Sequence, residues 1–148
     1  MTTEHHKNIA TFIHLSTFSR FLIPFGNFIG PIVLWVANKD KSDFVDKHGK
    51  QAINFQISIL LYALIIGTIS IPFFIFKVFN GIDFIDFNGI YDFHINIGRP
   101  SPLLYITGGI GIIAFLGFLI ELALIVKASI SARDGKDYNY PLTINFLK

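Results

Sequence analysis

The sequence predicts an all-α, polytopic membrane protein with three membrane segments, the first of them broken at 24–31. Three observations carry that prediction. Hydrophobic residues fill 52% of the 148 positions and charged residues only 15%, against about 25% charged in a typical soluble domain. The mean hydropathy is +0.57. A water-soluble domain of this length leaves too much surface in water to hide so many apolar side chains. Second, the apolar residues are gathered into long runs at 9–37, 53–76 and 103–126, and about 20 apolar residues suffice for a helix to cross a hydrocarbon core of about 30 Å. Third, only the first run carries two prolines, Pro24 and Pro31, with Gly26 and Gly30 between them.

The N-terminal "MTTEHHKNIA" has no basic stretch followed by a short apolar run and a small-residue cleavage site, so no cleavable signal peptide is expected. The first run contains "FSRFLIPFGNFIGPIVLWVA", with Arg20, Pro24, Gly26, Asn27, Gly30 and Pro31. Each proline removes a helical hydrogen bond and crowds the preceding turn. A helix to about Ile23, a break over 24–30 and a second piece opening with Pro31 in its first turn are expected. Pro24, Gly26, Gly30 and Pro31 form the candidate hinge. Gly26 and Gly30 either allow close helix approach or relax the proline break. The run is either one kinked span, with the N-terminus outside, or a re-entrant hairpin, with the N-terminus inside. In the span Arg20 snorkels; in the hairpin it sits deep and needs an acid such as Glu121.

The second run follows a mixed-charge ledge at 38–52, where Asp40, Asp43 and Asp46 are interleaved with Lys39, Lys41, Lys47 and Lys50. Gln51, Asn54, Gln56 and Ser58 persist into the apolar part, and Gln51, Asn54, Ser58 and Tyr62 are spaced three, four and four apart, which puts them on one helical face. The loop at 80–102, punctuated by Gly and Pro and rich in Phe and Tyr, reads as an ordered extracytoplasmic or interfacial segment. The third run carries one charge, Glu121, and the glycines 108, 109, 111 and 117, which favour close packing. Its helix is expected to continue past Lys127 and stop near Gly135 as a C′ glycine. The tail "YNYPLTINFLK" reads as an extended aromatic anchor. The whole, 1–148, counts as a single transmembrane domain. Lysine and arginine crowd 38–52 and the 127–148 tail, whereas 80–102 holds only Arg99. The positive-inside rule therefore makes the former two cytoplasmic.

For function, composition mostly excludes. There are no cysteines and the net charge is +2, which removes disulfides and thiolate chemistry and gives no basis for nucleic-acid binding. No catalytic, cofactor or metal motif stands out. His14 reads as a packed or interfacial histidine, and His48 as part of the charged ledge. The candidate intramembrane polar cluster is Gln51, Asn54, Ser58 and Glu121, since the amide face and the acid lie at similar depth. Glu121 either snorkels to the interface or serves a proton or substrate role. If it pairs with amides, Glu121→Gln is expected to cost little and Glu121→Leu more.

The segments "HLSTFSRFLIPFGNFIGPIVLWVANKDKSDFVDKHGKQAINFQ" (14–56) and "SARDGKDYNYPL" (131–142) resemble a bacterial family of small membrane proteins, the Tic20-like proteins, grouped with a chloroplast inner-envelope translocon component. The resemblance rests on His14-Leu15, the 24–31 break, Trp35, Lys39-Asp40, 44–54 and 138–142, and implies a link to protein translocation or insertion. The sequence thus reads as a non-enzymatic, multi-pass subunit or scaffold of a complex in the bacterial cytoplasmic membrane. Its partners are the lipid bilayer and a membrane protein or further copies of itself. The alternative is a small oligomeric transporter or channel using the broken first helix and Glu121.

Overall fold

In the computed structural model, which describes residues 3–79 and 102–148, every regular element is helical. The order is α1 (Glu4–Leu15), a 3₁₀ segment (Ser16–Phe21), α2 (Gly26–Val36), a short 3₁₀ turn (Lys39–Lys41), α3 (Asp43–Phe79) and α4 (Pro102–Arg133). The expectations for the 80–102 loop lie outside the described residues.

A run of hydroxyls ends α1. Ser16 Oγ donates to the Ile13 carbonyl (2.7 Å) and Thr17 Oγ1 to that of His14 (2.7 Å). Such side chains offer the carbonyls partners other than the next helical N–H, and the chain tightens into a 3₁₀ segment. It then turns over 22–25, with Phe25 in the left-handed region at φ 59°. The expected break over 24–30 is therefore shorter and earlier. Of the hinge residues only Pro24 lies in the turn. Gly26 opens α2, and Gly30 and Pro31 lie inside it, Pro31 as its sixth residue rather than in the first turn.

The two arms run antiparallel. Ser19 Oγ lies 2.6 Å from the Gly26 carbonyl oxygen, Ser16 faces Gly30, and Ile9 and Phe12 line one groove with Leu34 and Asn38. This resolves the two readings of the glycines. A Cβ on Gly26 would press into the Ser19 carbonyl, and one on Gly30 would stand 2.6 Å from the Ser16 oxygen. Both serve close approach.

Two helices among the described residues, not three, are long and apolar enough to cross a membrane, within Asp43–Pro72 and Gly108–Arg133. The first run supplies a helical hairpin instead of a third long helix. The helix α3 begins at Asp43, so most of the charged ledge forms its first turns rather than a loop. The end of α4 follows expectation. Gly135 adopts φ 73°, with Gly135 N–H donating to the Ala132 carbonyl and Lys136 N–H to that of Ser131 (2.9 Å), the paired bonds of a Schellman motif.

By contacts the chain divides into two units, Met1–Tyr62 with Leu119–Lys148, and Ala63–Phe118. The first holds the core. Phe55, Ile125, Ala128 and Tyr140 form one buried cluster, and Ile13, Val45 and Ala52 another. In the second unit Leu64, Ile66, Ile69, Ile112, Ile113 and Phe115 are exposed, as suits lipid contact. A Cβ on Gly108, Gly109, Gly111 or Gly117 would meet nothing within 4 Å. Among the described residues nothing packs closely against these glycines.

Candidate functional site

The polar residues of the first unit sort into three sets, because α3 has more than one polar face. At 3.6 residues per turn, Gln56 lies about 200° around the helix from Asn54. It shares its face with Gly49, seven residues earlier.

The first set is ionic. Arg20, at the end of the hairpin's first arm, forms a salt bridge with Glu121 of α4 through Nη2 and donates from Nη1 to its other oxygen at 3.1 Å. Gln56 joins the pair. Its carbonyl oxygen accepts from Arg20 Nη2 (2.9 Å) and from Asn27 Nδ2 (2.8 Å), while its amide donates to Glu121 (3.4 Å). Glu121 and Gln56 are buried. The first arm of the hairpin is thereby tied to α3 and α4, and the second arm to α3. A buried carboxylate costs several kcal/mol unless paired and hydrogen-bonded, and here it is both. Glu121 does not snorkel to solvent. Gln56, which belonged to no candidate site, supplies its amide.

The second set is the face foreseen as the partner of Glu121, and it binds something else. Asn54 exchanges two hydrogen bonds with the Leu147 backbone (Nδ2 to O, 3.0 Å; N–H to Oδ1, 2.9 Å). Ser58 Oγ accepts from Ile144 N–H (2.9 Å), and Tyr62 O–H donates to the Leu142 carbonyl (2.6 Å). These side chains hold the main chain of the tail. Gln51 is half-buried and takes part in neither set. The candidate cluster of Gln51, Asn54, Ser58 and Glu121 is therefore not one cluster.

The third set is aromatic. His48 is buried rather than part of a solvated ledge. Its Nδ1 lies 2.8 Å from His14 Nε2, and His14 Nδ1 lies 2.9 Å from the Tyr140 hydroxyl. The Tyr140 ring stacks on Phe55 at 4.0 Å between centroids. Among the described residues no group meets His48 Nε2 in good hydrogen-bond geometry, although the Lys136 main chain lies beside the ring. Spacing in the sequence could not show this pair, since His14 and His48 meet only through packing of α1 on α3. Tyr140→Phe keeps the stacking and loses the bond to His14. It is expected to lower stability by about 1 kcal/mol, read as a small drop in the melting temperature in detergent.

At the charged end Lys47 pairs with Asp137, and Asp46 accepts from Trp35 Nε1 (2.9 Å) and pairs with Lys50 (2.6 Å). Among the described residues no group of three or more His, Cys, Asp or Glu could hold a metal ion. What the arrangement does chemically is fasten helices and tail together.

One family model matches, that of the magnetosome magnetite crystal formation protein family, over residues 5–147. No curated protein and no solved structure matches. The family match covers both segments on which the Tic20-like resemblance rested, 14–56 and 131–142, and overturns that assignment. The translocation expectation built on it falls with it. The chain belongs to the magnetosome magnetite crystal formation protein family.

Proposed function

We propose that the chain is a non-enzymatic scaffold of the magnetosome membrane, itself derived from the cytoplasmic membrane, that contributes to magnetite crystal formation by organising a membrane complex. In this reading α3 and α4 cross the bilayer and the hairpin of α1 and α2 re-enters it from the cytoplasmic side. The hairpin tip supports re-entry. Leu22 is 84% and Phe25 73% exposed, an apolar tip that lipid would cover. The partners are lipid and a second membrane protein or further copies of the chain.

The observation that carries the scaffold reading is the closed pairing of Arg20, Glu121, Gln56 and Asn27. A carboxylate held by a guanidinium and an amide is engaged in structure, whereas a transport site keeps its polar groups available to cargo. The test uses purified protein in liposomes. Magnetite precipitated inside them is expected to differ in size distribution from magnetite grown in protein-free liposomes, with no proton or cation flux. A flux abolished by Glu121→Gln would overturn the scaffold reading in favour of a small oligomeric transporter, the use that a broken helix beside an acid otherwise serves.

A further inference from the structure

We infer that the C-terminal segment 138–147 is itself re-entrant, its turn at Pro141 and Leu142 buried in lipid beside α3 and its main chain held there by Asn54, Ser58 and Tyr62. The inference rests on the reading of α3 as a membrane span.

The path of the segment is fixed by its contacts. It leaves the charged end, where Asp137 meets Lys47, and reaches Tyr62 at Leu142. It then returns past Ser58 at Ile144 to Asn54 at Leu147. Along α3, Tyr62 stands twelve residues beyond Lys50, the last charge of the ledge, or about 18 Å. That is roughly half of a hydrocarbon core of about 30 Å. The wall against which the tail turns lies inside a helix apolar enough to span.

The chemistry of the tail fits that depth. Residues 138–147, "YNYPLTINFL", contain no Asp, Glu, Lys or Arg, and Lys136, Asp137 and Lys148 flank them. Irregular backbone inside a bilayer must find partners within the protein, because no water is there to supply them. The three α3 side chains provide four such bonds, to Leu142 O, Ile144 N and Leu147 N and O. Pro141, at the turn, has no N–H to satisfy. Leu142 holds φ 57° to make the turn, and its side chain is 85% exposed. In water nothing would favour presenting that side chain outward on a strained backbone. In lipid its exposure is favourable.

The chain has no cysteine, so single-cysteine variants report cleanly. We would label Lys136→Cys, Leu142→Cys and, on the exposed apolar part of α3, Leu64→Cys with a charged, membrane-impermeant maleimide. The sample is proteoliposomes freeze–thawed so that both faces meet the reagent. Lys136→Cys is expected to label, with Leu142→Cys and Leu64→Cys at least tenfold slower until detergent is added. Ile144→Cys gives the same reading if Leu142→Cys does not fold. Adding Asn54→Ala and Ser58→Ala to Leu142→Cys is expected to speed its labelling, and no change would overturn the role given to those side chains. Labelling of Leu142→Cys at the rate of Lys136→Cys, with Leu64→Cys protected, would overturn the inference alone. Labelling of Leu64→Cys as well would overturn the membrane reading beneath it.

Discussion

Glu121→Leu is expected to destabilise the protein by about 3–5 kcal/mol, because it leaves the Arg20 guanidinium without its counter-charge. The carboxylate is the shared acceptor of Arg20 and of the Gln56 amide, so its loss strands two donors. Glu121→Gln keeps an acceptor but not the charge, and is expected to cost about 2 kcal/mol. From the sequence alone that substitution looked nearly free, because amides were its only foreseen partners. The arginine changes the ranking. The double variant Arg20→Met/Glu121→Leu is expected to recover more than half of the loss, since replacing a buried ion pair by apolar groups is often nearly neutral. Gln56 and Asn27 keep their mutual bond in that variant. Thermal melts of the four proteins in one detergent decide the matter. Additive losses in the double variant would mean that the two charges do not act as a pair.

Gly26→Ala is the second large effect. The new methyl would press into the Ser19 carbonyl and stand 2.7 Å from the Arg20 nitrogen. Both are backbone atoms of the opposite arm, so no side-chain rotation relieves the clash. Overpacking of this kind costs about 1–3 kcal/mol and occasionally more, and here the upper end is expected because the arms must separate. Separation also moves Arg20 away from Glu121, so the variant should lose part of the ion pair too. Gly67→Ala is the control. Its Cβ would meet nothing within 4 Å, and alanine favours a helix over glycine by roughly 1 kcal/mol. The melt of Gly67→Ala is expected at or above wild type and that of Gly26→Ala well below. Equal melts would mean that the hairpin arms are not in close contact.

Hydropathy made α3 and α4 legible, because long apolar runs leave few alternatives to a helix. The Schellman end at Gly135 was legible because glycine carries the left-handed geometry locally. The face of Asn54, Ser58 and Tyr62 was legible too, since spacings of four define a face without knowledge of its partner. That partner was the backbone of a tail 80 to 93 residues away, and backbone offers no residue-type signal. Gln56 was missed because it lies off that face, on the side of Gly49, where a Cβ would run into the Trp35 ring. The pairing of Arg20 with Glu121 was legible only conditionally. It followed from a hairpin and not from a kinked span, and prolines spaced as here permit both. His48 was misread because the charges around it suggested a solvated surface, whereas its ring turns inward beneath Phe44, 4.3 Å between centroids.

The side of the membrane on which the N-terminus lies is the most direct test. Two spans and a re-entrant hairpin require residues near the N-terminus, the 38–52 segment and the C-terminal segment to share one face, whereas three spans put the N-terminus opposite. With the chain expressed in the cytoplasmic membrane of a host that forms no magnetosomes, single cysteines at His5, Lys41 and Lys136 are all expected to resist an impermeant thiol reagent in intact cells and to react once the membrane is opened, with Asn88→Cys reacting at once. Labelling of His5→Cys in intact cells, with Lys41→Cys and Lys136→Cys still protected, would contradict the re-entrant hairpin and restore a third crossing.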